Sequence, residues 1–206
     1  MKFLNLNKVL CLSAHPDDVE YSMLGSIIRF EDTIFDIAVL STGGDFDTTN
    51  KNRGSECSKI WINFDNISGS VLSNGHVKDK SEDEWINIIE NKYDISEYDC
   101  VFAPPCLDSH FEHRITNNIA YALLRSTNSG LVTYKTPSTL ESWKPNYYVD
   151  VNHLINKKDS LLKNFESQVG RSYFKLNSIR AFHSNYISSK FGVDYVEHFK
   201  IERLFS

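Results

Sequence analysis

Residues Lys8–Glu20 read KVLCLSAHPDDVE, and the way this stretch changes character decides the fold. Lys8–Ser13 is a short continuous apolar run, the pattern of a central strand buried on both faces. It stops abruptly, and His15, Pro16, Asp17, Asp18 and Glu20 follow within six residues. Charge of that density at the mouth of a hydrophobic strand is costly to fold unless something binds it. Beyond it, Tyr21–Phe30 reads as a helix with apolar residues at Met23, Leu24, Ile27 and Ile28. Strand, polar turn and helix form the first half of a βαβ unit.

The same alternation continues along the chain. Phe35–Ser41 reads as a second strand, closed by Thr42-Gly43-Gly44-Asp45, and Asn52–Trp61 as a helix. Asn66–Leu72 is a short third strand. Ser81 with Glu84 three residues on forms a capping box for a helix through Lys92. Tyr98–Ala103 is a further buried strand ending in Pro104-Pro105, His113–Arg125 an amphipathic helix, Gly130–Tyr134 a strand and Leu154–Phe165 a helix. The last thirty residues are mixed and give no clear pattern. Strands alternating with helices at this spacing predict an α/β, Rossmann-like fold, a mostly parallel sheet flanked by helices. No repeat or linker interrupts residues 1–206, which are expected to form a single domain.

Composition excludes several function classes. With 41% hydrophobic and 24% charged residues, the chain is an ordinary globular protein. Its net charge of −5, with no block of Lys or Arg, argues against a generic nucleic-acid surface. No apolar run approaches the roughly 20 residues needed to span a membrane, and a cytoplasmic location without membrane insertion is expected. Cys11, Cys57, Cys100 and Cys106 have no paired CxxC spacing, so neither a disulfide framework nor a cysteine zinc site is expected. Gly43-Gly44 lacks the GxGxxG fingerprint, which disfavours a nicotinamide or flavin site.

In open α/β sheets, ligands bind outside the carboxyl ends of the strands. The residues that follow the strands here are His15, Asp17 and Asp18; Gly43, Gly44 and Asp45; and Asp108, His110 and His113. All three clusters fall on one edge of the sheet. A lone HxxH is commonly a surface coincidence, and a lone HPDD a proline turn whose Asp caps a helix. Both together, each at the end of a buried strand, are not explained that way. His15, Asp18, His110 and His113 offer nitrogen and oxygen ligands suited to zinc or another divalent transition metal. A catalytic zinc takes three protein ligands, so this cluster holds more groups than coordination needs.

Ala14–Glu20 (AHPDDVE) resembles the signature of the PIG-L/LmbE family of zinc-dependent de-N-acetylases, and Pro104–His113 (PPCLDSHFEH) resembles its second motif. Thr42–Asp45 (TGGD), Arg53 with Glu56, Tyr134–Asp150 and Lys157–Gln168 are similar to further family segments, in the family's order. The resemblance implies a metal triad of His15, Asp18 and His113, with zinc as the metal, although Fe²⁺ or another divalent transition metal suits the same ligands. It implies Asp17 as general base and His110 as the group that stabilises the tetrahedral intermediate and helps protonate the leaving amine. Asp45 and Arg53 match positions that contact the substrate.

The implied reaction is removal of an N-acetyl group from an amino-sugar substrate, a GlcNAc-type conjugate or a nucleotide-linked sugar, with release of acetate. A homo-oligomer is a further expectation of the resemblance. Glu112 departs from the Asp common in the family; if the carboxylate at this position orients His110, the extra methylene alters its pKa or reach. Trp143–Tyr148 is expected to be a loop that serves as a specificity lid. A metal hydrolase acting on a carbamate or non-sugar amide, and a catalytically silent carbohydrate-binding protein, are the rival readings. The latter predicts loss of a ligand or of the base, and all five residues are present.

Overall fold

The apolar run after Lys8 forms β1 (Lys8–Ser13), in which every residue from Val9 onward is buried. The computed structural model describes residues 1–44 and 53–205. Beside β1 lie β2 (Ile34–Val39), β3 (Ile67–Val71), β4 (Cys100–Ala103) and β5 (Gly130–Tyr134), all parallel. β6 (Tyr147–Asp150) and β7 (Val196–Arg203) complete a seven-stranded sheet of order β3-β2-β1-β4-β5-β7-β6, with β7 antiparallel to both its neighbours. This is an α/β Rossmann-like fold, and its strands are drawn from residues 8 to 203.

Burial on both faces accounts for the unbroken apolar runs. Val9 and Cys11 of β1 join one core with Val19, Met23, Leu24 and Ile27 of α1 (Asp18–Arg29). Leu10 and Leu12 point the other way, into a core with Trp85, Ile86 and Ile89 of α3 (Glu82–Glu90) and Ile119, Ala120 and Leu123 of α4 (Phe111–Leu123). Side chains alternate along a strand, so one short run feeds both cores. α2 (Arg53–Trp61) and α5 (Ile155–Leu162) are the helices read at those places, shifted by a few residues at most. The capping box of α3 is present, with Ser81 N–H donating to Glu84 Oε2 at 2.7 Å and Glu84 N–H to Ser81 Oγ at 3.2 Å.

The last thirty residues resolve into α6 (Leu176–His183), α7 (Tyr186–Ser189) and β7. β7 is hard to read because Glu197 and His198 are charged or polar yet buried. Glu197 accepts from Gly25 N–H at 2.8 Å and Ser26 N–H at 2.6 Å, and pairs with the buried Lys158 at 2.5 Å. α1 thereby approaches β7 closely, and a Cβ at Gly25 would lie 2.9 Å from Glu197 Oε1.

The expectation of a lid at Trp143–Tyr148 is not met. Trp143 is buried, its Nε1 donating to Thr133 Oγ1 on β5 at 3.3 Å. Tyr147 begins edge strand β6 and packs edge-on against Phe3 at 5.7 Å. These aromatics have apolar neighbours to cover, and core packing claims them. No helix among the described residues is long and apolar enough to cross a membrane.

Candidate active site at the ends of β1 and β4

The chain leaves β1 toward β2 on one side, while β4 joins on the other, so the crevice beyond these two strands is the topological switch point. The AHPDD turn fills it. Asp17 stands at φ +103°, in the left-handed region that a residue other than glycine adopts at a cost of about 1–3 kcal/mol. The turn is tied down from several sides. Ser13 Oγ donates to His15 O at 2.5 Å, and Tyr21 N–H to Asp17 O at 2.7 Å. Arg53 donates to both Pro16 O and Asp17 Oδ1 at 2.9 Å. The bland reading of the turn fails in detail: Asp17 is the N-cap of α1 yet makes no side-chain cap bond. Asp18 folds back instead, and its Oδ2 accepts His15 N–H at 2.8 Å.

Beyond β4, Asp108 organises the second cluster. It is buried, with Oδ1 accepting His110 N–H at 2.7 Å and Oδ2 lying 3.0 Å from His113 Nδ1. His110 caps α4, its Nδ1 accepting Glu112 N–H at 3.2 Å. His113, on the first turn of α4, brings Nε2 to 3.3 Å from Asp18 Oδ1. His15 Nδ1 lies 3.9 Å from Asp18 Oδ2, and its Nε2 lies 2.6 Å from Glu112 Oε2. Glu112 therefore orients His15 rather than His110, a correction to the sequence reading. Its other oxygen accepts Lys78 N–H at 3.1 Å, and the two bonds together fix where the carboxylate points.

Five residues predicted from separate motifs thus converge. One ligand atom from each of His15, His110 and His113 lies within 4.8 Å of the others, and Asp18 lies between His15 and His113. Arg53, expected to contact substrate, lines the same cavity and is engaged with the Asp17 turn. Asp45 lies outside the described residues.

The charges within this cluster are strongly coupled. Burial works against a charged His113, but Asp18 and Asp108 outweigh it and raise its pKa to about 10. Burial would likewise raise Asp18, yet His113 and His15 hold it well below the usual carboxylate range. Asp17 rises to about 7 because burial dominates, Arg53 opposes it, and Asp18 and Glu20 add to it. His110 falls to about 4 through burial and the neighbouring His113 and His15. The carboxylates around His113 thus favour positive charge at the centre of the cluster. The same nitrogen and oxygen donors would suit a divalent cation there, so the residues fit a metal.

The site opens into a cavity of about 540 Å³ whose lining includes all five residues together with His76, Ser138, Arg171 and Tyr173. His76 follows the end of β3, so the carboxyl-end rule that found the other clusters also reaches it. Gly44, at φ +80°, makes room for it: a Cβ there would lie 2.5 Å from His76 Nε2. Arg171 and Tyr173 come from the stretch after α5, where they follow a helix rather than a strand end and no sequence signal points to the site.

No protein-family model and no curated protein sequence matches the chain. Solved structures do. An N,N′-diacetylchitobiose deacetylase from Pyrococcus horikoshii is 22% identical, with 97% of this chain and 85% of that one covered and a TM-score of 0.75. A pseudoaglycone deacetylase for the antimicrobial A40926 is 12% identical, covering 97% and 99%, with a TM-score of 0.73. A 4-carboxy-2-hydroxymuconate hydratase from Pseudomonas putida KT2440 is 13% identical, covering 100% and 97%, with a TM-score of 0.76. The chain shares the α/β fold of these deacetylase and hydratase structures.

Proposed function

We propose that this protein is a metal-dependent hydrolase that removes an N-acetyl group from an amino-sugar substrate and releases acetate. The observation that carries the reading is the meeting of His15, Asp17, Asp18, His110 and His113 in one cavity, with a carboxylate oxygen left over. Asp17 Oδ2 is buried and has no hydrogen-bond partner among the described residues, while Oδ1 is held by Arg53. A fold shared with a hydratase does not select the reaction, so the argument rests on these side chains.

His15, Asp18 and His113 would hold the metal, zinc or iron(II). Asp18 is preferred to His110 as third ligand because it is the buried anion between the two histidines, where a triad of neutral imidazoles would leave that charge beside the ion. When bound, such an ion supplies a Lewis acid and lowers the pKa of water from 15.7 to roughly 7. Asp17 Oδ2, buried and unpartnered, takes a proton from the attacking water and later returns it. His110 is neutral, and its Nδ1 is occupied as an acceptor, so the proton sits on Nε2. From there it donates to the oxyanion that forms from the acetyl carbonyl. The carbon–nitrogen bond breaks as Asp17 passes its proton to the departing amine, leaving acetate and a free amino sugar.

The test is acetate released from free, glycosidic and nucleotide-linked N-acetylated amino sugars by metal-loaded protein, with a chelated control. Chelator-sensitive release from one of them is expected. Silence across the panel with metal bound would refute deacetylation of this substrate class and favour another amide or carbamate.

A further inference from the structure

Charges lining the cavity are matched in pairs, with one exception. Asp17 is held by Arg53 at 2.9 Å, Asp18 lies 3.3 Å from His113, and Glu112 lies 2.6 Å from His15. Arg171 also lines the cavity, and its side chain is exposed. Among the described residues its guanidinium has neither a carboxylate within ion-pair distance nor a hydrogen-bond acceptor.

What separates Arg171 from an ordinary surface arginine is the fixed base beneath it. Arg171 N–H donates to Gln168 O at 2.9 Å, and Gln168 is buried. One residue earlier, Ser167 is clamped by Glu56, which accepts from its N–H at 3.0 Å and its Oγ at 2.6 Å. On the other side, Tyr173 O accepts from Tyr21 OH at 2.8 Å. Glu56 lies one turn along α2 from Arg53, so the helix that holds the Asp17 turn also anchors the segment carrying Arg171. A guanidinium is a planar fork that matches the oxygens of a carboxylate or phosphate, and a fixed base reduces the entropy lost when it engages one.

We propose that Arg171 forms an anion subsite of this cavity, so that the substrate carries a phosphate or carboxylate group beside its acetamido sugar. The sugar half of this statement rests on the function proposed above; the anion half rests on Arg171 alone.

The test measures binding to the full chain by calorimetry with three probes: methyl N-acetylglucosaminide (neutral), N-acetylglucosamine 1-phosphate, and N-acetylmuramic acid, which bears a carboxylate. At least one anionic probe is expected to bind about tenfold or more tightly than the neutral one, the gain of one charge-assisted hydrogen-bonded contact. The anionic probe that binds more tightly identifies the group as phosphate or carboxylate. Added salt should shrink the preference, because the contact is exposed. Arg171→Ala should abolish it without changing affinity for the neutral probe or the melting temperature, and Arg171→Lys should retain part of it. Equal affinities, failure of both anionic probes to bind, or an equal loss for the neutral probe in Arg171→Ala would each overturn the subsite. Acetate release from the same probes is scored separately. Anion-selective binding without acetate keeps the subsite, and the hydrolase reading is then decided by the full metal-loaded panel; acetate from the neutral probe without anion preference keeps the hydrolase reading and removes the subsite.

Discussion

Asp108→Asn tests whether His113 ligates the metal through Nε2. Asp108 is fully buried, with Oδ1 on His110 N–H at 2.7 Å and Oδ2 at 3.0 Å from His113 Nδ1. Asparagine has the same shape, and its amide oxygen can keep the His110 bond. Its amide nitrogen then faces His113 Nδ1, and two donors cannot share that line. His113 must accept there and carry its proton on Nε2, the nitrogen 3.3 Å from Asp18 Oδ1. Thr136 and Thr139, which donate to the carboxylate, can rotate their hydroxyls to accept, so the fold survives. Losing a carboxylate behind a metal-bound histidine costs about 10–100-fold in affinity, or roughly 1.4–2.7 kcal/mol. The upper half of that range is expected, because the lost contact is buried and charge-assisted. Competition with a chromophoric chelator at pH 7.5 measures the zinc affinity, with circular dichroism to confirm folding. A folded Asp108→Asn protein that binds zinc within about threefold of the parent would refute the assignment of His113 Nε2, because the expected loss is at least tenfold.

Asp17→Asn is expected to abolish acetate release while retaining metal, whereas Asp18→Ala and His113→Ala lose metal as well; metal analysis of the purified variants beside turnover separates the two classes. His110→Ala should depress turnover more than metal content, and a metal loss equal to that of His113→Ala would make His110 a ligand. Lys158→Met strands the fully buried Glu197 carboxylate and should destabilise the protein by about 3–5 kcal/mol, read from denaturant midpoints; a loss under about 1 kcal/mol would show the pair to be dispensable. Burial, with Lys135 and Lys158 nearby, lowers the pKa of His198 to about 3. The unfolded chain takes up that proton first, so the associated stability is whole above pH 6.5 and is lost as pH falls toward 3. Roughly 2 kcal/mol should disappear between pH 7.5 and pH 5, and His198→Gln should flatten that part of the profile.

Much of the site is legible in the chain because its chemistry is local. His15, Asp17 and Asp18 share one turn, His110 and His113 one helix start, and each group follows a buried strand whose carboxyl end a parallel sheet must present to the same crevice. Arg53 is singled out by its motif, but its engagement with Pro16 and Asp17 is not legible, because that contact spans more than thirty residues. Glu112 shows the same limit. Its neighbour in sequence is His110, yet its carboxylate reaches His15, 97 residues away.

The chain's own pattern determined the α/β alternation, the parallel core strands and the grouping of polar residues at one sheet edge, since periodicity and strand-end placement are properties of consecutive residues. Only the tertiary structure decided the antiparallel end of the sheet. There Glu197 and His198 are buried inside β7, and Tyr147 belongs to a strand rather than a lid. It also decided which carboxylate serves which histidine, and that Arg171 reaches the cavity. Those outcomes depend on which distant surfaces close upon one another. Burial and pairing energies set that closure, and the local sequence carries no record of it.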